Sequence, residues 1–263
     1  MKKFNDKIVW ITGASSGIGE ATAYAFAKEG AKLVLSARRV DELNRVKANM
    51  PESEVLVLPM DMENLNDLEI KVAEVKRVFG RIDILFNNAG ISQRSSVEET
   101  SMDVYHKIMN LNFFGVIALT KAVLPLMREQ KNGVIVATSS LSGKLATPMR
   151  SGYCASKHAL HGFFDALRAE VYQDNIQITL ICPGYIQTNI SYNAVAGDGS
   201  KFGKLDTNQA NGMPVEECAD RILRAIATQK EEVYMGGKEV LGVYLKRFFP
   251  NILSKIVRKQ MPK

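Results

Sequence analysis

The sequence predicts one α/β domain, a doubly wound parallel sheet of about seven strands with helices on both faces. Three observations carry this. Short apolar runs alternate with amphipathic stretches along most of the chain, the pattern of strand–helix–strand units. Most of the runs are near-continuously apolar rather than alternating, as befits strands covered on both faces. A glycine-rich turn separates the first run from the first amphipathic stretch, and ligands of such sheets sit beyond the carboxyl ends of the strands. The 263 residues suffice for one large core, and no internal repeat or interdomain linker divides them. The reading is therefore a single domain, 1–263, with an irregular loop at 185–212 and a basic extension at 241–263.

Residues 7–12 are the first strand, ending in Thr12-Gly-Ala-Ser-Ser-Gly-Ile-Gly19. The helix that follows sets Ala21, Ala25 and Phe26 on one face. A strand at 31–37, a helix at 40–49, a strand at 54–58, a helix at 65–79 and a strand at 82–86 continue the alternation. After Asn87-Asn-Ala-Gly90 and a polar loop, a long helix spans about 102–128. Its centre, Met109-Asn-Leu-Asn-Phe-Phe-Gly115, holds residues that are poor in helix interiors, so a local distortion is expected there. A strand at 133–138, the helix that opens near Ser151 and a strand at 176–182 complete the regular part. The stretch 185–212 is rich in Gly, Asn, Asp and Ser and reads as a binding loop or lid. A helix at 215–228 and a strand at 232–236 follow.

Apolar content of 46% and charged content of 24% are ordinary for a globular protein. No apolar run of about 18 residues is present, so no membrane span is expected. The first seven residues lack the apolar core of a signal peptide. Cys154, Cys182 and Cys218 are scattered thiols without paired spacing; they suit a reducing, cytoplasmic setting and no disulfide or metal framework. His106, His158 and His161 lie on helices without ligand spacing. The net charge of +6 equals the six cations of 241–263 (Lys246, Arg247, Lys255, Arg258, Lys259 and Lys263), which has no acid. The rest is neutral by this count and does not read as a nucleic-acid binder.

The glycines of the first turn, Gly13, Gly17 and Gly19, let a backbone come close to a pyrophosphate at a helix N-terminus, which is rich in unpaired N–H groups. A site that holds a ribose 2′-hydroxyl usually places an acid at the end of the second strand. Here the strand ends Leu35-Ser-Ala-Arg-Arg39. Arg38 and Arg39 suit a 2′-phosphate instead. The expected cofactor is NADP(H), with NAD(H) the lesser alternative.

Tyr153 and Lys157, four apart, share a helix face with Leu160, Phe164 and Val171. A lysine on a buried stripe is costly unless its charge is held, and a neighbouring ammonium favours the phenolate of a tyrosine. The pair is thus a candidate general acid/base. Ser139 and Ser140 follow the fifth strand, and Pro183-Gly184 follows the sixth, at the same sheet edge.

Taken in order, Thr12-Gly-x-x-x-Gly-x-Gly19, Asn87-Asn-Ala-Gly90, Asn112, Ser140, Tyr153-x-x-x-Lys157 and Pro183-Gly184 resemble a short-chain dehydrogenase/reductase, a Rossmann-type fold, over about 6–236. Arg38-Arg39, Ser92-Gln-Arg-Ser95, Tyr153-Cys-Ala-Ser-Lys157 and Ile181-Cys-Pro-Gly184 are similar to the member-seven subgroup, which acts on bulky apolar carbonyls. The N-terminal hydrophobic anchor of that subgroup's membrane-bound members has no counterpart here, so their location is not carried over. The resemblance implies that Tyr153 passes a proton to or from the reacting oxygen, and that Lys157 lowers the Tyr153 pKa and holds the nicotinamide ribose. Ser140 would orient the substrate and Asn112 would hold a relay water. Ser15, Ser16 and Ile18 join the three glycines around the pyrophosphate; Asp61 meets the adenine, Asn87 and Gly90 the adenosine ribose, and Pro183, Gly184, Ile186 and Thr188 the nicotinamide end.

The expected activity is NADP(H)-dependent interconversion of a carbonyl and a secondary alcohol on a mostly apolar small molecule, with no metal. The alternatives are reduction of a 3-oxoacyl thioester and a non-catalytic NADP(H)-binding redox sensor. A homodimer or homotetramer is expected. The extension 241–263 reads as a lid or subunit contact, with peripheral membrane contact as the alternative.

Overall fold

The computed structural model describes residues 3–259; Lys263 of the basic extension lies outside them. Seven parallel strands form one sheet in the order β3-β2-β1-β4-β5-β6-β7. In chain order they are β1 (Ile8–Thr12), β2 (Lys32–Ser36), β3 (Val55–Val57), β4 (Ile84–Asn87), β5 (Gly133–Thr138), β6 (Ile176–Pro183) and β7 (Glu232–Met235). The helices between them are α1 (Gly17–Lys28), α2 (Val40–Ala48), α3 (Leu68–Phe79), α4 (Met102–Met109), α5 (Gly115–Gln130), α6 (Ser151–Glu170), α7 (Thr207–Ala210) and α8 (Val215–Ala227). Two more, α9 (Leu241–Phe248) and α10 (Pro250–Arg258), end the described chain.

Strand residues alternate between faces, and β1 feeds both layers of core. Val9 and Ile11 pack with Phe26 of α1, Leu43 of α2 and Ile222 of α8. Trp10 packs on the other side with Val75 of α3, Val123 of α5 and Phe164 of α6. The buried Trp10 indole N–H donates to Ser36 Oγ at 2.9 Å, so the large side chain carries no unmet polar group. Strand order reverses between β1 and β4, which opens a crevice at their carboxyl ends.

The predicted elements are present with two instructive differences. The helix expected from residue 65 begins at Leu68. Asn64 accepts the Asn66 N–H at 3.2 Å and donates to Asp67 at 3.0 Å, a local turn that competes with helix. The long fourth helix carries a wide π turn at Asn110–Phe114, the distortion expected there. Taken through that turn, 102–130 is long and apolar enough to cross a membrane, which the search for an apolar run did not anticipate. Val116, Leu119, Val123 and Met127 nevertheless pack in the core layer; this is a core helix. The extension folds into α9 and α10.

Candidate active site

The crevice opens into one cavity of about 940 Å³ that runs from the glycine turn to the underside of α9 and α10. Gly13 and Gly17 have φ of +65° and +59°, a region that disfavours side chains. A Cβ on Gly13 would stand 2.9 Å from the Ala89 Cα, and one on Gly19 would collide with the Gly13 carbonyl. The helix-capping position of α1, Ser16, makes no side-chain cap, so the first N–H groups of α1 face the cleft beside Ser15, Gly17 and Ile18. Unpaired N–H groups at a helix start suit a phosphate. Arg38, Arg39 and Asp61 line the same end, with Arg39 Nη2 donating to Ser15 Oγ at 3.3 Å. The residues present fit a dinucleotide.

Two residues expected at the cofactor do not line the cavity. Gly19 is buried against the turn itself and does not line the cavity. Asn87 is also buried, and its amide donates to Thr120 of α5 at 3.0 Å. Its place is taken by Asn88, one residue on and facing the other way. The Asn88 amide bonds the Thr12 and Gly13 carbonyls at 3.2 and 3.4 Å and accepts from Thr138 at 3.2 Å. Asn88 thereby stitches the ends of three adjacent strands together. Gly90, Pro183, Gly184, Ile186 and Thr188 all line the cavity as expected.

Tyr153, Lys157 and Ser140 meet at the middle of the cavity. Lys157 Nζ lies 5.8 Å from the centre of the Tyr153 ring and donates to the Thr138 carbonyl at 2.6 Å. Burial lowers the Lys157 pKa to about 8. Burial also raises the Tyr153 phenol; the opposing pull comes from the Ser140 hydroxyl and the Arg150 and Arg94 guanidiniums. Lys157, 5.8 Å from the Tyr153 ring and with a pKa of about 8, is still mostly charged at neutral pH. Ser140 donates to the Pro183 carbonyl at 3.2 Å and accepts the Ser142 N–H at 3.1 Å. Ser139 turns away, bonding His161 Nε2 at 2.9 Å and the Lys157 carbonyl at 3.2 Å.

Asn112 sits in the π turn, fully buried. Its side chain accepts the Ile91 N–H at 2.8 Å and donates to the Ile91 carbonyl at 2.9 Å and to Ser156 Oγ at 3.1 Å. Both ends of the amide are thus committed to holding the Gly90–Ile91 backbone. A Cβ on Gly90 would come within 3.3 Å of Asn112 Oδ1 and 3.5 Å of Lys157 Nζ.

The sequence reading missed several parts of the site. Gln93 is wholly buried and caps the start of α6 through the N–H groups of Gly152 and Tyr153. Arg94 and Arg150 both line the cavity and both bond Asp206. In the sequence Gln93 and Arg94 stand only within the subgroup-like run Ser92-Gln-Arg-Ser95, which specifies no role for either. His161, Cys182 and Glu232 also converge, with potential ligand atoms within 4.8 Å of one another. The Lys144 ammonium already lies 2.7 Å from Glu232. Burial works against the Glu232 charge, but hydrogen bonds from His161, Lys144 and Tyr234 outweigh it and hold its pKa at about 2.

A glycine turn at the sheet's switch point, sharing one cavity with a tyrosine, a lysine and a serine, defines a class: oxidoreductases that use a nicotinamide dinucleotide. The chain belongs to the short-chain dehydrogenase/reductase family, whose model, described as short chain dehydrogenase, matches residues 7–198. Within the family it is similar to dehydrogenase/reductase SDR family protein 7-like of Anopheles gambiae, 46% identical over 270 residues, covering 100% of this chain and 85% of the relative. Two solved structures share the fold. A short chain dehydrogenase/reductase from Burkholderia phymatum in complex with NAD superposes with a TM-score of 0.85 at 24% identity, over 96% of each chain. An alcohol dehydrogenase from the archaeon Thermococcus sibiricus, complexed with 5-hydroxy-NADP, gives 0.77 at 28% identity, over 89% of this chain and 97% of that one.

Proposed function

We propose that this protein interconverts a carbonyl and a secondary alcohol with NADP(H), on a substrate whose bulk is apolar. The convergence of Tyr153, Ser140 and Lys157 on a cavity continuous with the glycine turn carries this reading. Bound at the glycine turn, the dinucleotide supplies or takes up the hydride. The chain's own residues orient the reactants and move the proton. Tyr153, kept protonated at neutral pH by burial, gives its proton to the carbonyl oxygen in reduction and recovers it in oxidation. The Ser140 hydroxyl holds the same oxygen, and Lys157, with a pKa of about 8, is poised to exchange a proton with its surroundings. Asn112 fixes the Gly90–Ile91 backbone that Lys157 packs against. Arg38 and Arg39 at the adenosine end, with no acid between Leu35 and Arg39, favour NADP(H) over NAD(H).

The apolar part of the substrate would rest under Leu245, Leu253, Ile256 and Val257, which line the cavity from α9 and α10. These two helices support the lid reading of the extension. Their outer side exposes Phe248, Phe249 and Ile252 among Lys246, Arg247, Lys255 and Arg258, which favours peripheral contact with an anionic membrane as well. Exposed Phe114 and half-buried Ile117 and Leu124 along the fourth helix favour a homodimer or homotetramer; sedimentation velocity gives its size.

The deciding experiment follows NADPH absorbance with a panel of ketones whose apolar bulk varies. Oxidation of NADPH that depends on a ketone supports the reading. Tight NADPH binding with no turnover on any carbonyl defeats it.

A further inference from the structure

We infer that the substrate of this site carries an oxyanion, a carboxylate or a phosphate, which Arg94 and Arg150 hold beside Tyr153. The inference rests on the carbonyl-reductase reading and adds a substrate class to it.

The argument begins with an imbalance of charge. The Arg94 side chain is only 10% exposed and that of Arg150 18%, and both line the cavity. Both guanidiniums reach the same atom, Asp206 Oδ2, at 3.2 and 3.1 Å. The other oxygen, Asp206 Oδ1, is occupied by the Asn208 N–H at 2.9 Å. Two cations therefore share one carboxylate, and one positive charge is left over. Arg94 spends its Nη1 on Ser92 Oγ and the Gln93 carbonyl, at 3.3 and 3.1 Å. Among the described residues, Arg150 donates a side-chain hydrogen bond through Nη2 alone, which leaves its Nε and Nη1 for a ligand. Lys107 and Lys201 line the same cavity. Its acids do not restore the balance. Among the described residues neither Asp61 nor Glu239 forms an ion pair with Arg94 or Arg150; Glu239 accepts the Tyr185 N–H at 3.0 Å instead.

A half-compensated guanidinium inside a largely apolar cavity is costly, and a wholly apolar substrate would make it costlier by removing water. An oxyanion completes the set, because a guanidinium fork matches carboxylate and phosphate oxygens. The ion triplet also ties the 92–95 loop and the start of α6 to the 185–212 loop, but one arginine would suffice for that tie. The second is what a ligand explains. The substrate is then an amphiphile, with an apolar body under α9 and α10 and an anionic head on the arginine pair.

Calorimetry on the full chain saturated with NADPH tests this, using dodecanoate, dodecyl phosphate and methyl dodecanoate as probes. At least one anion should bind about 10-fold tighter than the uncharged ester, as a charge-assisted hydrogen bond allows; the tighter of the two names the head group. Arg94→Gln and Arg150→Gln should bring the anion down to the ester. Asp206→Asn retains the α7 cap and frees both guanidiniums, so it should increase the preference for the anion. A merely structural tie predicts the opposite, with all three variants weakening all three probes alike. Equal binding of ester and anions, or loss of the preference in Asp206→Asn, overturns the inference. Turnover of 4-oxododecanoate and its methyl ester keeps the two readings apart. Equal reduction of both defeats the oxyanion site alone; anion-selective binding with no reduction of either compound defeats the reductase reading alone.

Discussion

The side-chain oxygen of Gln93 accepts the N–H of Gly152 at 2.7 Å and that of Tyr153 at 3.3 Å. Its amide nitrogen bonds Thr100 Oγ1 at 2.8 Å and Ser95 Oγ at 3.1 Å. The helix that carries Tyr153 is thus capped by a buried side chain from a different loop. Gln93→Ala should cost about 1–2 kcal/mol of stability, as lost caps do, and lower kcat more than it changes the KM for the cofactor. Gln93→Glu keeps the acceptor but loses the donations to Thr100 and Ser95 and buries a charge, so it should recover kcat more than stability. Thermal melts and steady-state kinetics on the two variants check this.

Tyr153→Phe removes the hydroxyl and keeps the ring. Turnover should fall by roughly 10²–10⁴-fold, the range of general acid–base catalysis, while NADPH still binds. Turnover within a few-fold of the parent chain would remove Tyr153 from its assigned role.

Arg39 reaches the glycine turn through Ser15 and lines the adenosine end of the cleft. Arg39→Asp should raise the KM for NADPH by about 10–100-fold, the worth of a charge-assisted hydrogen bond, and lower that for NADH. Unchanged KM values for both would show that the guanidinium contacts neither dinucleotide.

Lys157 pays for its burial, with a pKa of about 8 against an ordinary 10.5. Below pH 8 both folded and unfolded chains hold the proton, and the folded state bears the full cost of burying the charge. Between pH 8 and 10.5 the unfolded chain binds more protons, so stability rises with pH. Lys157→Met should therefore stabilise the cofactor-free protein at pH 7 by roughly 1–3 kcal/mol after loss of the bond to Thr138. That advantage should fade as the pH approaches 10.5, and denaturant melts at several pH values read it directly.

Much of this was visible in the sequence. Short apolar runs located every strand, and the spacing of Tyr153 and Lys157 put both on one helix face. The glycine turn identified the cleft because the φ of Gly13 and Gly17 favours glycine and a side chain at Gly13 or Gly19 would collide with neighbouring backbone. What escaped was set by distance in sequence or by burial. Arg94 and Asp206 lie 112 residues apart, and Gln93 and Gly152 lie 59 apart; no local pattern links either pair. Asn87 and Asn88 are indistinguishable until the strand's pleat decides which faces the cleft. The Tyr153–Lys157 spacing suggested an ammonium beside a phenol, but spacing does not report the depth of burial that shifts both groups. Asn110 and Gly115 announced a distortion, yet only the fold reveals that Asn112 spends both ends of its amide on Ile91.

The cavity's floor comes from strand ends and α6, and its ceiling from α9 and α10, far along the chain. The family model, matching 7–198, ends before that ceiling begins at Leu241. The apolar ceiling of the cavity is therefore encoded in a stretch of the polypeptide separate from Tyr153, Lys157, Ser140 and the arginine pair. On the proposed reading, substitutions in the last two helices would retune which apolar bodies are admitted while the proton-transfer residues and the arginine pair stay intact.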